Sequence, residues 1–154
     1  MIEIVEIKES ALKQTITQTI LNDLPAWFGI EEAIKTYVEG VKPLPFFAAK
    51  VRDQYVGFYA LREENAQVID MYVLGVLKAY HHKGIGQKLQ AYVDQYAKKK
   101  GYTYLMVLTL AKKAQNPAYL KTRQFYLKVD FFDFYQNDKI FSKEDPCQIM
   151  IKAL

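Results

Sequence analysis

The chain has 154 residues, 51% of them apolar and 25% charged, which is the make-up of one soluble globular domain and not of a disordered segment. Its longest apolar run, YLMVLTLA, falls far short of the roughly 20 residues that cross a bilayer. The N-terminus carries early acids and no basic-then-apolar signal layout, and a single cysteine, Cys147, excludes a disulfide framework and fits a reducing cytoplasm.

Lysine and arginine (21) exceed aspartate and glutamate (17), but the excess is spread along the chain and does not indicate nucleic-acid binding. The one run, Lys98 to Lys100, reads as cations at the negative end of a helix. The alternation of Ile2, Ile4 and Ile7 with charged residues predicts an opening strand. Ser10 is placed as the N-cap of a helix over 11–22, with Leu12, Ile16, Ile20 and Leu21 on one face and Pro25 after its end. A second helix is expected over 31–40. Three strands in meander spacing follow at about 45–52, 54–62 and 66–77, with Arg52-Asp53 and REEN as turns. A helix over 85–100 carries Ile85, Leu89, Val93, Tyr96 and Ala97 at helical spacing and stops at Gly101. The apolar run YTYLMVLTL then makes strand, helix, strand, hence a parallel pair with a crossover. Asn116-Pro117 opens a helix to about 128, and FFDFYQN with CQIMIKAL closes the chain as an antiparallel hairpin. The fold expected is α/β (α+β), with a mixed, mainly antiparallel sheet in one domain over 1–154.

Chemistry is concentrated at AYHHKGIGQKL, between a buried strand and a helix start. The first N–H groups of a helix lack partners and carry partial positive charge. Gly84 and Gly86 let a ligand approach without Cβ obstruction, so the loop is a candidate cradle for phosphate or pyrophosphate. Metal binding is disfavoured, because His81 and His82 are adjacent, point apart and lack a third ligand at suitable spacing. The pattern is neither a Walker loop nor a dinucleotide fingerprint. Taken alone, it fits an ordinary loop-to-helix turn equally well.

The run VLGVLKAYHHKGIGQKLQAYVDQYAKKKGY resembles the central motif of the GNAT superfamily of acetyl-CoA-dependent N-acetyltransferases. There a strand leads into [QR]-x-x-G-x-[GA] and a helix; here His81 takes the Gln/Arg position. The predicted order β-α-α-β-β-β-α-β-α-β-β is also that family's. AYLKTRQFYLKVDFF is similar to its helix ending in F-Y-x-x-x-G-F, with Asp130 at the glycine position. Aspartate tolerates the left-handed backbone a turn needs there. YLKTRQFY followed by DPCQIMIK is similar to a bacterial subgroup of largely unassigned function.

The resemblance implies acetyl-CoA as co-substrate and a primary amine, small molecule or protein, as acceptor. It places the pantetheine arm on Leu74, Gly75 and Val76. The pyrophosphate falls on His81, His82, Lys83, Gly84, Ile85, Gly86 and Gln87. Asp70 matches the position of a catalytic glutamate in histone-acetylating members, and burial would raise its pKa toward a base's useful range; a structural carboxylate is the alternative. Tyr126 matches the tyrosine near the CoA sulfur, a candidate general acid. Asn116 is a candidate for the pantetheine arm or a plain helix cap. Gly75 fits a bulge that frees strand amides, or a packing glycine. Trp27, Phe28, Glu31, Glu32 and Tyr37 form a candidate acceptor wall, aromatic with acids that attract a cationic amine, or else a hydrophobic staple with solvated acids. No metal, membrane or nucleic-acid partner is expected, and a homodimer is allowed. The competing function is a CoA- or nucleotide-binding regulatory module without turnover.

Overall fold

The computed structural model describes residues 1–154, and its elements follow the expected order. These are β1 (Glu3–Glu6), α1 (Ser10–Asn22), α2 (Glu31–Gly40), β2 (Phe46–Val51), β3 (Gln54–Glu63), β4 (Val68–Val76), α3 (Ile85–Lys99), β5 (Tyr104–Leu110), α4 (Pro117–Lys128), β6 (Phe132–Asn137) and β7 (Cys147–Ala153). Single 3-10 turns at Lys78–Tyr80 and Lys112–Ala114 are additions the periodicity did not show. The strands hydrogen-bond in the order β1-β2-β3-β4-β5-β7-β6. The β4–β5 pair is parallel, whereas β1–β2, β2–β3, β5–β7 and β6–β7 are antiparallel. The chain divides into two units: residues 1–62 with 72–96, and residues 63–71 with 97–154.

In the first unit, Ile16, Ile20 and Leu21 of α1 and Ile34 of α2 are buried with Phe46, Ala48, Phe58 and Val73 of the strands. Ser10 is not the cap of α1. It is the first helical residue and donates to the Lys42 carbonyl at 3.3 Å, while Glu9 takes the cap position without a side-chain bond. The helix is instead held from inside by Lys13, which is buried and donates to the carbonyls of Lys42 and Leu44 at 3.1 and 2.7 Å. Burial lowers the pKa of that ammonium against the opposing charge of Glu6. Ile85, Leu89 and Val93 line the buried face of α3. The β2–β3 turn places Arg52 and Asp53 at φ 49° and 65°, the paired left-handed geometry of a two-residue hairpin.

In the second unit, β7 lies between β5 and β6, and α4 begins at Asn116, whose side chain accepts from the N–H groups of Ala118 and Tyr119 at 3.1 and 3.2 Å. Pro117 occupies the first turn, where no N–H is missed. The helix ends before Asp130 at φ 76°, the left-handed position anticipated from the sequence.

Candidate functional site

Two groups of predicted residues fall in the first unit. Between β4 and α3, His82 and Gly84 have positive φ (61° and 82°), so the chain reverses sharply just before Ile85. The Gly84 carbonyl accepts from Lys88 N–H at 3.1 Å, which makes Gly84 the helix cap and leaves the amides of Ile85, Gly86 and Gln87 as first-turn donors. A Cβ at Gly84 would meet nothing within 4 Å, so the mouth of the helix is open to an approaching group. Ile85 is 2% exposed, so its side chain belongs to the core and only its N–H faces this role. His82 and Lys83 are exposed at the rim. The two histidine rings stand 6.4 Å apart and perpendicular, and no cluster of three His, Cys, Asp or Glu side chains is placed to hold a metal ion.

His81 is committed differently: its Nε2 lies 2.7 Å from the Val76 carbonyl oxygen. Its ring meets Trp27 edge-on at 5.9 Å. Phe28 turns to Tyr37 at 5.9 Å, and Tyr37 to Tyr72 at 5.3 Å, and Trp27, Phe28 and Tyr37 are all partly buried against the core of the first unit. Arg62, which no local motif marks, places its guanidinium carbon 4.5 Å from the Tyr72 ring centroid. Glu31 and Glu32 are exposed in the first turn of α2, and Glu32 pairs with Lys35 at 3.6 Å. Gly75 is a packing glycine by geometry: a Cβ there would lie 3.1 Å from Ile20 and from Leu24. Leu74 and Val76 are half-buried on the same strand.

The second unit holds Asp70, Tyr126 and Asn116. Asp70 is 3% exposed, at the third paired position of β4 opposite Met106. Tyr126, 4% exposed, lies on the inner face of α4 against Phe131 at 5.7 Å. Burial above all, with the charges of Tyr119 and Asp70, pushes the Tyr126 phenol far above its ordinary value. Asp70 also acts on Cys147, a residue the sequence flagged only for being alone. That thiol is wholly buried. Burial first and the Asp70 charge second push it up to about 11, against a backbone hydrogen bond from Thr109. The second unit therefore gathers a buried carboxylate with two buried acids that stay protonated at neutral pH. Asn116 spends its side-chain oxygen on the helix cap, which leaves its NH2 as the part able to meet a ligand.

The family model for the acetyltransferase (GNAT) domain matches residues 42–131, more than half of the chain. Among solved structures, a GNAT-family protein from Desulfovibrio desulfuricans superposes with a TM-score of 0.85 at 17% identity, covering 99% of both chains. A GNAT family acetyltransferase from Elizabethkingia anophelis, solved with acetyl-CoA bound, gives 0.71 at 18% identity over 99% of this chain and 98% of that one. The PaiA N-acetyltransferase from Thermoplasma acidophilum, solved with coenzyme A, gives 0.74 at 19% identity over 100% and 99%. A search of curated proteins found no match. The chain belongs to the GNAT acetyltransferase family.

Proposed function

We propose that the protein transfers the acetyl group of acetyl-CoA to a primary amine by direct attack. The observation that carries this reading is the burial of both Asp70 and Tyr126 in the second unit, where the Asp70 charge adds to the burial that raises the Tyr126 phenol. The pyrophosphate is held by the amides of Ile85, Gly86 and Gln87 at the mouth that Gly84 leaves open. Lys83 adds rim charge, and the exposed His82 ring stands beside it. Leu74, Gly75 and Val76 offer main-chain groups to the pantetheine arm in the manner of an added strand, and the Asn116 NH2 is a further donor to it. Trp27, Phe28, Glu31 and Tyr37 receive the acceptor.

An amine attacks only as the free base, so the ammonium proton must leave first. Asp70 receives it, directly or through water. Tyr126 is better suited to donate a hydrogen bond to the departing thiolate than to give its proton away. A thiol ionises near about 8.5 and an unperturbed phenol near about 10, and burial moves Tyr126 further up. An acyl-cysteine route is disfavoured, because the only cysteine is buried and its thiol is pushed up to about 11.

The test is acetyl-CoA consumption against polyamines, aminoglycosides, amino acids and lysine peptides. Thiol release with one class supports the reading. No acetyl-CoA or CoA binding at millimolar concentration would sink it, and tight CoA binding without release would replace it by a non-catalytic module.

A further inference from the structure

A second polar site lies wholly in the second unit. An open groove of about 750 Å³ runs between α4 and the face formed by β7 and β6. Its floor, Gln148 and Gln136, follows from register. Thr109 of β5 pairs with Gln148 of β7, and Gln148 pairs with Gln136 of β6, so the three side chains stand in one row on one face. The neighbouring row, Val107 opposite Met150, is buried and apolar. Thr109 is 2% exposed and Gln148 7%, so two hydrogen-bonding side chains occupy positions where apolar ones would stabilise the sheet more.

The donors and charges of the groove are unevenly committed. Arg123 and Asp133 close one wall as a bidentate pair at 2.6 and 2.7 Å, and neutralise each other. Lys112 and Lys113 at the other end make no ion pair. An adjoining recess shares Lys113 and Gln136 and adds Asp138 and Lys139, whose charges also offset. The two lysines thus leave the groove positive. The Gln148 NH2 donates to the carbonyls of Tyr135 and Ile149, each at 3.2 Å, so its oxygen is the part left to a ligand. The Thr109 hydroxyl is buried and has no hydrogen-bond partner within the fold. Two free ammonium groups make a positive groove, whose complement is an oxyanion.

We infer that this groove binds the carboxylate or phosphate of a small molecule other than acetyl-CoA, with Lys112 and Lys113 supplying charge beside Gln136 and Gln148. The inference does not depend on acetyl transfer.

Amide chemical shifts of the isotopically labelled full chain, titrated with inorganic phosphate and separately with succinate, test it. Saturable shifts are expected at Lys112, Lys113, Gln136 and Gln148, with the affinity for at least one probe falling about fivefold or more in K112Q/K113Q, the loss expected for an ion contact of 1–2 kcal/mol. Shifts persisting when the protein is first saturated with CoA support a separate site; their loss would assign the groove to the cofactor's own phosphates and overturn it. No shift at these residues with either probe, or shifts that K112Q/K113Q leaves unchanged, would overturn it as well.

Discussion

The Nε2 of His81 donates to the main-chain carbonyl of Val76 at 2.7 Å, which fixes a proton on that nitrogen and ties the loop after β4 back to the strand's last residue. The same ring packs edge-on against Trp27, the one tryptophan of the chain. Indole emission therefore reports on this contact. His81→Ala should change the emission intensity and weaken CoA binding about three- to tenfold, the loss expected for one hydrogen bond and the loop order it maintains. His81→Gln keeps an N–H donor and should recover much of the affinity but not the emission. Titration calorimetry and fluorescence measure the two separately. An unchanged affinity in His81→Ala would remove the histidine from the cofactor site.

Tyr126→Phe leaves the buried ring in place and removes one hydroxyl. If the phenol steadies the thiolate by a hydrogen bond, turnover should fall about 10- to 100-fold, the range of a charge-assisted bond of 1.5–3 kcal/mol. The affinity for acetyl-CoA should stay within about twofold, because the bond strengthens only as charge develops on sulfur. Asp70→Asn should cost more, about 100- to 10,000-fold, and most at low pH where the amine is protonated. Steady-state kinetics with the acceptor found by the amine screen decides both.

Local rules carried the sequence reading far, and long-range packing marks where it stopped. Asn116-Pro117 and Asp130 were legible because a cap and a left-handed turn are properties of a few adjacent residues. Ser10 does not cap α1 because its hydroxyl is drawn to the Lys42 carbonyl, a partner 32 residues away. The influence of Asp70 on Cys147 is not legible in the sequence, because β4 and β7 are brought to either side of β5 only by the fold.

Two glycines separate these levels and predict opposite outcomes. Gly84→Ala meets open space but keeps φ at 82°, so it should cost about 1 kcal/mol from backbone strain and act on the cradle, reducing CoA affinity. Gly75→Ala meets Ile20 and Leu24 at 3.1 Å. It should cost about 1–3 kcal/mol by overpacking. Chemical denaturation with CoA titration tells them apart: Gly75→Ala should be the less stable variant, and Gly84→Ala the weaker binder relative to its stability loss.

Cys147 gives a prediction whose sign follows from linkage. The folded thiol is pushed up to about 11 from an ordinary 9.0. Below the ordinary value both states hold the proton and the stability is fully present. Between the two values the unfolded chain has lost its proton while the folded chain keeps it, so the unfolded state binds fewer protons and stability falls as pH rises. The loss approaches about 2–3 kcal/mol by the upper value, at 1.36 kcal/mol per pKa unit. Thermal melts between pH 8 and 10.5 should therefore drop more steeply for the wild type than for Cys147→Ala, which has no thiol to titrate, even though the alanine variant starts lower because of the cavity it creates. The native thiol should also resist a disulfide reagent at pH 8 and react at once in denaturant, since its side chain has no exposed surface. Parallel melting curves for the two proteins, or rapid labelling of the native chain, would place the thiol in water and remove the argument against an acyl-cysteine route.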